Sequence, residues 1–500
     1  MSTVVGDIDN QLPRSYDDGD MHTRRLFQTG SMPHAEYCSR SERQNLARLC
    51  ANIECVEYNF YLPEFARAFV SRSHHWNPTM QRLLVGSLAM LFFAVPLVAG
   101  DWPQFRGPGG NATSEDKGVP VKWSEKENVL WKTKLPGLGT SSPITVGDAI
   151  FVTCYSGYGE SVESAGMQKD LVRHLVCVDR KSGAIRWSKE VKAELPESEY
   201  RSGNDSWHGY ASSTPTSDGK HVFVFFGKTG VFCFDMMGNQ VWSTNVGKDK
   251  TGWGSGASPV LYKELVIVNA AVESGALIAL NKSDGKEAWK VAGTKSAWSS
   301  PILVDLPGGK SELVLNMPGS PGKIKAFDPA TGNDLWQSTG IPDGYVCPSV
   351  ISHEGVVYAI GGRKNTSVAV KAGGSGQVKP LWTTGAGSNV TSPVYHDGHI
   401  YWLHETRGIA YCVEAATGKQ VYSERVTGAS RTYSSAVLAD GKIYYISQNA
   451  TTFVIAAKPK FELLATNKLD DTSRTNASPA IDNGRLLIRT DKHLYCIGTK

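Results

Sequence analysis

Aromatic, arginine and asparagine side chains recur just ahead of short apolar stretches, and together these residue types can bind a ligand. Aromatic rings offer flat apolar faces, guanidinium groups offer forked donors, and amides both donate and accept hydrogen bonds. Such groups converging in a concave mouth are typical of a binding site. The alternative interpretation is that these side chains only fill a central channel between sheets and cover the ends of those sheets. The candidate ligand-binding residues are Arg201, Asn204, Trp207, His208, Tyr210, Trp253, Trp298, Tyr345, Asn389, Arg431, Tyr433, Arg474 and Asn476.

Motifs of the common catalytic and metal centres are missing from the sequence. It contains no His-Glu-x-x-His, no Gly-x-Ser-x-Gly and no phosphate-binding loop, so no catalytic residue is assigned. The segment His396-Asp397-Gly398-His399 has metal-like spacing, but its central Asp-Gly is typical of a two-residue hairpin turn. The sequence therefore predicts a turn at this position and no metal site.

Six of the nine cysteines lie beyond residue 100, and four of these occupy the same place in a repeated phrase. We interpret those four as small buried apolar residues, because Ala279 and Ala326 stand at the same place in other copies. Equivalent places in neighbouring repeats should be too far apart for a disulfide bond, although the redox state stays open. The six residues are Cys154, Cys177, Cys233, Cys347, Cys412 and Cys496.

The chain beyond residue 101 is built from repeats. One phrase is a pair of small residues, then proline, then an alternating apolar strand, and we count eight copies. Two-residue turns such as Asp397-Gly398 and Asn483-Gly484 then lead into a second strand. The copies are Ser141-Ser142-Pro143, Ser213-Thr214-Pro215, Ala257-Ser258-Pro259, Ser299-Ser300-Pro301, Val346-Cys347-Pro348, Thr391-Ser392-Pro393, Ser434-Ser435-Ala436 and Ala477-Ser478-Pro479.

A second phrase follows each first one: an apolar strand, an acid or amide, a glycine turn and an aromatic residue. We assign its aromatic residues to packing between repeats; they are Trp131, Trp187, Trp242, Trp289, Trp336, Trp382 and Tyr422. The seventh copy is the weakest, with Leu463-Leu464 in the aromatic place. A period of about 45 residues with four short strands per unit predicts an all-β, eight-bladed β-propeller of four-stranded blades. The N-terminal strand Val129-Leu130-Trp131-Lys132 should complete the last blade and close the ring.

The first 100 residues differ from the repeats. Met80-Gln81-Arg82, an apolar run over residues 83–98 and the small residues Ala99-Gly100 have the layout of a secretory signal peptide. Because such a peptide normally begins its chain, we interpret residues 1–79 as an over-extended N-terminus, residues 80–100 as the signal and residues 101–500 as the propeller. Asp101 stands where a lipoprotein would have cysteine, so we expect a periplasmic or secreted protein with no stable membrane anchor.

The fullest repeat, Ala326-Phe327-Asp328-Pro329-Ala330-Thr331-Gly332-Asn333-Asp334-Leu335-Trp336, resembles the tryptophan-docking repeat of the pyrroloquinoline-quinone-like propellers. The opening Asp101-Trp102-Pro103-Gln104-Phe105-Arg106-Gly107-Pro108 resembles the start of exported bacterial members of that family. The resemblance covers residues 101–500 and implies an eight-bladed propeller. The family includes quinoprotein alcohol and glucose dehydrogenases and non-catalytic members such as the outer-membrane β-barrel assembly factor.

The function expected from these observations is a non-catalytic binding or scaffold module. The alternative is an oxidoreductase of alcohols or sugars that uses pyrroloquinoline quinone (PQQ) with Ca²⁺. The chain lacks the adjacent cysteine pair of the quinoprotein alcohol dehydrogenases and a Cys-x-x-Cys-His haem site, so no cofactor is expected. A formal net charge of +4 over 500 residues argues against nucleic-acid binding. We expect a monomer whose partner is a protein, peptide or glycan.

Overall fold

Eight sheets arranged as the blades of a β-propeller make up the part of the chain that the computed structural model describes, residues 100–201 and 208–499. This confirms the predicted all-β, eight-bladed architecture. The described residues include three single 3₁₀ turns, at Pro108–Gly110, Gln168–Asp170 and Gly227–Thr229. Across the same ranges, no helix has the length and apolar character needed to cross a bilayer. The predicted N-terminal extension and most of the predicted signal peptide lie outside the described residues.

Two N-terminal strands precede the repeats, β1 (Thr113–Ser114) and β2 (Val129–Lys134). Within each blade the chain begins at a short inner strand and moves outward through antiparallel neighbours. Blades 1 to 4 contain β3 Ile144–Val146, β4 Ala149–Ser156, β5 Val172–Asp179 and β6 Ile185–Lys192; β7 Thr216–Ser217, β8 His221–Phe225, β9 Val231–Asp235 and β10 Gln240–Thr244; β11 Val260–Tyr262, β12 Leu265–Ala270, β13 Ala276–Asn281 and β14 Glu287–Ala292; β15 Ile302–Leu306, β16 Lys310–Met317, β17 Lys323–Phe327 and β18 Asp334–Thr339.

The remaining blades follow the same order, and two short strands add to the basic pattern. Strand β22 extends blade 4 by pairing in parallel with β18, and β1 pairs in parallel with the inner strand β28 of blade 7. Blades 5 to 8 contain β19 Ile351–His353, β20 Val356–Gly361, β21 Thr366–Lys371 and, after β22 Gly376–Val378, β23 Trp382–Thr384; β24 Val394–His396, β25 His399–Leu403, β26 Ile409–Glu414 and β27 Gln420–Arg425; β28 Val437–Ala439, β29 Lys442–Ile446, β30 Thr451–Ala456 and β31 Leu463–Lys468; β32 Ala480–Asp482, β33 Arg485–Arg489 and β34 His493–Ile497.

The ring closes through the N-terminal strand. Strand β2 pairs antiparallel with β34, from Val129 opposite Ile497 to Lys134 opposite His493, and so supplies the outer strand of blade 8. This is the closure that the sequence predicts. Because the first and last parts of the propeller share one sheet, strand β34 has no open edge.

Aromatic residues of the outer strands link successive blades. The Trp242 indole Nε1 donates to the Lys282 carbonyl of the next blade at 2.7 Å, and the indole lies against Gly285. Gly285 has a φ of +69°, and a Cβ atom there would lie 2.5 Å from the indole, so both the backbone and the close contact require glycine. Trp131, Trp289 and Trp382 lie against Gly183, Gly332 and Gly418 in the same way.

Trp336 donates its Nε1 hydrogen to Glu312 of its own blade, and its side chain belongs to a buried cluster that also contains Val357 and Val368 of blade 5. One detail of the predicted repeat is wrong. In blade 7, Ala465 stands opposite Val454, which is the place that Tyr422 takes opposite Cys412 in blade 6. The aromatic place of that copy is therefore Ala465 and not Leu463-Leu464, because the chain between the two paired positions is one residue longer in blade 7 than in blade 6.

The His396-Asp397-Gly398-His399 segment forms the predicted hairpin turn. Asp397 and Gly398 both have positive φ, 42° and 73°, and His396 pairs with His399 across the turn. Within residues 100–201 and 208–499, no group of three or more histidine, cysteine, aspartate or glutamate side chains could hold a metal ion. The six described cysteines are free thiols. Four of them stand opposite an aromatic residue of the outer strand: Cys177, Cys233, Cys412 and Cys496.

Candidate functional site

Eight hydroxyl side chains form a closed circle around the channel where the inner strands begin. Each hydroxyl oxygen accepts the backbone N–H of the equivalent residue in the preceding blade, with N–O distances between 2.8 and 3.0 Å. We call this set the hydroxyl ring; it consists of Ser142, Thr214, Ser258, Ser300, Ser349, Ser392, Ser435 and Ser478. The last bond runs from the Ser478 N–H to the Ser142 hydroxyl and completes the circle.

The hydroxyl ring explains why a small polar residue comes before each inner strand, and it corrects one copy of the repeat. In blade 5 the ring member is Ser349, so the predicted phrase Val346-Cys347-Pro348 is displaced by two residues. The sequence comparison aligned the copies on their prolines, whereas the structure requires a residue with a hydroxyl group at this position. Val350 and Ala436 follow the ring serines of blades 5 and 7, which shows that proline is dispensable there.

A cavity of about 580 Å³ opens above the hydroxyl ring, and all eight ring residues line it. The structure brings seven of the predicted ligand-binding residues to its wall: His208, Trp253, Trp298, Tyr345, Asn389, Tyr433 and Asn476. We call this space the mouth cavity. Four other described residues of the predicted set are not part of its lining: Arg201, Tyr210, Arg431 and Arg474. Asn204 and Trp207 fall outside the described residues.

The arginines predicted for the mouth lie around the cavity rather than in its wall. Arg201 is exposed and forms an ion pair with Glu199. The Arg431 guanidinium lies 5.9 Å from the centre of the Tyr433 ring. Arg474 lines a second cavity of about 220 Å³ together with Asp491, and this cavity shares Thr140 and His208 with the mouth cavity. The mouth cavity is therefore more neutral than the sequence suggested.

The segment that follows Gly100 forms the floor of the mouth cavity, a role that the sequence analysis missed. Trp102 exchanges two backbone hydrogen bonds with Thr145 of blade 1. The Arg106 guanidinium is buried and donates to the Pro393 carbonyl of blade 6. Between these contacts, Phe105 lines the cavity beside the hydroxyl ring. The aromatic residues of this segment were a usable signal, since large apolar rings outside the repeats need a buried partner.

The aromatic rings of the mouth cavity form two groups. Trp298 and Tyr345 meet edge to face, with ring centres 6.2 Å apart and planes at 89°. The Trp298 Nε1 donates to the Gly254 carbonyl at 2.8 Å, which fixes the orientation of the indole. His208 stacks on Tyr433 with ring centres 5.6 Å apart. The centre of its ring lies 6.5 Å from that of the Trp253 ring. These partly exposed rings provide flat surfaces for an apolar face of a ligand.

The electrostatic character of the mouth cavity is close to neutral. Arg363 is the one arginine or lysine among its described lining residues, and its guanidinium makes two hydrogen bonds to Asp343. Burial and, to a smaller extent, the charge of Arg474 lower the pKa of His208 to about 4, so the imidazole is neutral at physiological pH. No aspartate or glutamate is present among the described lining residues.

The lining does not fit the Ca²⁺-bound quinone that the family resemblance implies. Ca²⁺ takes six to eight oxygen ligands, with carboxylates among the usual donors, and the described lining of the mouth cavity offers it neutral hydroxyls and amides. PQQ itself carries several carboxylates, and the single lining guanidinium already pairs with Asp343. We therefore assign no step to this cofactor.

A buried carboxyl group lies beside the mouth cavity. Glu273 is 2% exposed, and its Oε1 accepts a hydrogen bond from Ser255, which itself lines the mouth cavity. Its Oε2 is buried and has no hydrogen-bond partner among the described residues. Burial raises the pKa of Glu273 to about 7, because a carboxylate there would lose its hydration.

This raised pKa makes stability depend on pH. Between pH 4.5 and 7 the folded protein holds a proton on Glu273 that the unfolded chain releases, so the free energy of unfolding falls as pH rises through this window. The loss through this group is about 3 kcal/mol. We expect Glu273→Gln to remove that loss in denaturant unfolding followed from pH 4 to 8. The exposed Glu194→Gln serves as control, and an identical pH slope in wild type and Glu273→Gln would contradict this assignment.

Comparison with known proteins places the fold and its repeats in a family. The family model described as outer membrane protein assembly factor BamB matches residues 171–424 and 322–499. BamB of Salmonella typhimurium is 33% identical over 101 residues, which are 20% of this chain and 25% of that protein. The quinoprotein alcohol dehydrogenase PedH of Pseudomonas putida is 33% identical over 133 residues, which are 25% of this chain and 20% of that protein.

The chain thus matches a fifth to a quarter of the length of these curated relatives. Among solved structures, BamB from Moraxella catarrhalis has a TM-score of 0.51 at 12% identity, covering 74% of this chain and 97% of that protein, which supports the propeller fold. The family match spans about two thirds of the chain. The chain belongs to the PQQ-like propeller family that is described as outer membrane protein assembly factor BamB.

Proposed function

We propose that this chain is an exported, non-catalytic propeller that binds a partner in its mouth cavity. The observation that carries the proposal is the lining of that cavity: aromatic faces, hydroxyls and amides converge there, without a carboxylate among the described lining residues. Groups of these types orient and hold a ligand. General acid–base or nucleophilic catalysis would need a nucleophile paired with a base, and the described lining residues contain no such pair among themselves; Ser255 is hydrogen-bonded to Glu273, which is buried and does not line the cavity.

The family match supports a binding role, because the matching model is described as an assembly factor. Proteins, peptides and glycans are the partner classes that we consider, and the chain would act as a monomer. The layout of residues 80–100 supports export to the periplasm or beyond.

The second candidate function is a PQQ-dependent oxidoreductase. It is favoured by the 33% identity with the quinoprotein alcohol dehydrogenase of Pseudomonas putida over 133 residues. The neutral lining argues against it, since neither Ca²⁺ nor an anionic quinone would find its usual partners in the mouth cavity.

Reconstitution with quinone separates the two functions. We expect purified protein covering residues 101–500, mixed with PQQ and Ca²⁺, to show neither stoichiometric quinone absorbance after desalting nor turnover of ethanol or glucose in a dye-linked assay. A quinoprotein alcohol dehydrogenase treated identically is the positive control. Stoichiometric quinone together with turnover would overturn the proposed function.

A further inference from the structure

The hydroxyl ring has unused hydrogen-bonding capacity. A hydroxyl carries one O–H donor and two lone pairs, and each ring residue uses one lone pair to accept a backbone N–H. None of the eight ring hydroxyls donates its own hydrogen to another described residue. Because the ring lines the mouth cavity, these O–H donors and remaining lone pairs are available to a ligand that both donates and accepts.

Asn389 adds an acceptor to the wall of the cavity. Its Nδ2 donates to the Tyr345 hydroxyl at 2.7 Å, which fixes the orientation of the amide. Its Oδ1 is buried and accepts no hydrogen bond from a described residue. An unsatisfied buried acceptor costs free energy that a donor from a ligand would recover.

The few charged groups among the described lining residues of the mouth cavity favour a ligand without net charge. An anion entering the mouth cavity would lose its hydration and meet one guanidinium that Asp343 already occupies. A cation would meet no carboxylate among the described lining residues. A ligand without net charge avoids both costs.

Two features of the mouth cavity favour a carbohydrate over a peptide as its ligand. Recognition of a peptide main chain commonly uses unpaired strand edges, whereas the backbone N–H groups at the level of the hydroxyl ring are all bonded to ring hydroxyls. A sugar ring presents hydroxyls around its edge and C–H groups on its face. The face can pack on Trp298 or Tyr345 while the edge meets the hydroxyl ring and Asn389.

We infer that the mouth cavity binds the neutral end of a carbohydrate chain. This inference rests on the proposed function and names the ligand class of the same site. The sugar would enter with its hydroxyl edge toward the hydroxyl ring and one face against the Trp298–Tyr345 corner. The cavity of about 580 Å³ has the size of a small-molecule site.

The first test is a glycan array containing neutral and acidic glycans, with a peptide array beside it. We expect binding to neutral glycans, and calorimetry with the neutral disaccharide that the array selects should show binding at least ten-fold tighter than its uronic acid counterpart. Binding restricted to acidic glycans, or to no glycan, would overturn the inference. Peptide binding without glycan binding would overturn it while leaving the proposed function intact.

Variants then test the site. Trp298→Ala and Ser349→Ala should each weaken binding of the same disaccharide ten-fold or more, and Ser349→Thr, which keeps the hydroxyl, should restore much of the Ser349→Ala loss. Ser423→Ala on the exposed outer strand β27 is the matched control and should bind like wild type. If Ser349→Ala fails to fold, Trp298→Ala decides alone. Unchanged affinity in Trp298→Ala would overturn the inference.

Discussion

Replacing residues 120–135 with a Gly/Ser linker of equal length should abolish the cooperative thermal transition of the propeller. The replacement removes β2, so β34 loses its outer partner from Val129 to Lys134. It also removes Trp131, whose indole lies against Gly183 of blade 1. The loss of β2 leaves β34 with an open edge, and blade 8 then keeps only contacts outside the sheet with blade 1, such as the Arg180–Asp482 ion pair and the bond from the Ser478 N–H to Ser142. Circular dichroism melting and size-exclusion chromatography measure the result.

The matched control replaces Gly376–Val378, a fifth strand added to the already four-stranded blade 4, with Gly-Ser-Gly. That variant should remain folded, because the blade keeps its four antiparallel strands. A soluble monomer with the wild-type melting temperature after replacement of residues 120–135 would contradict the closure.

Trp336→Ala should lower the free energy of unfolding by about 3–5 kcal/mol, as truncation of a buried tryptophan typically does. Trp336 is 2% exposed, and its Nε1 donates to Glu312 at 2.7 Å. Glu312 is itself buried and also accepts the Gly373 N–H at 3.1 Å. The variant therefore leaves both a void and a buried carboxylate with one fewer donor. Denaturant unfolding at pH 7 gives the free energy directly.

Arg431→Ala is the comparison for this substitution. Arg431 is exposed and packs on Tyr433 at the edge of the mouth cavity, so its replacement should change stability by no more than about 0.5 kcal/mol. Severe unfolding of Arg431→Ala would show that this residue holds the blades together. A loss below about 1 kcal/mol in Trp336→Ala would contradict the buried, hydrogen-bonded environment described for Trp336.

The repeat allowed the architecture to be predicted because each blade satisfies the same local requirements. Gly285 must adopt positive φ beneath Trp242, and the Asp397-Gly398 turn must reverse the chain in two residues. Such requirements restrict the residue types that can stand at these positions, so the positions can be recognised in the sequence. The place of Ala465 in blade 7 could not be predicted in this way, because the connection before it is one residue longer than in blade 6 and the residue itself is not aromatic.

The candidate site was predictable in part for a similar reason. Residues such as Trp298 and Tyr345 precede inner strands, and the propeller topology brings all such positions to one end of the channel. The hydroxyl ring could be recognised only once the N–H groups of one blade were seen to meet the hydroxyls of the next. The floor formed by Phe105 depends on a segment that belongs to no repeat. Contacts between distant parts of a chain carry no fixed spacing, which is why the sequence does not reveal them.

The most direct test of binding in the mouth cavity is hydrogen–deuterium exchange with and without a saturating ligand, either the saccharide or the peptide selected by the arrays. We expect ligand-dependent protection in peptides that contain Trp298–Ser300, Tyr345–Ser349 and Asn389–Ser392, since these segments line the cavity from three blades. The outer strand Gln420–Arg425 should exchange at the same rate in both states. Protection confined to outer strands, with the three mouth segments unchanged, would contradict the account.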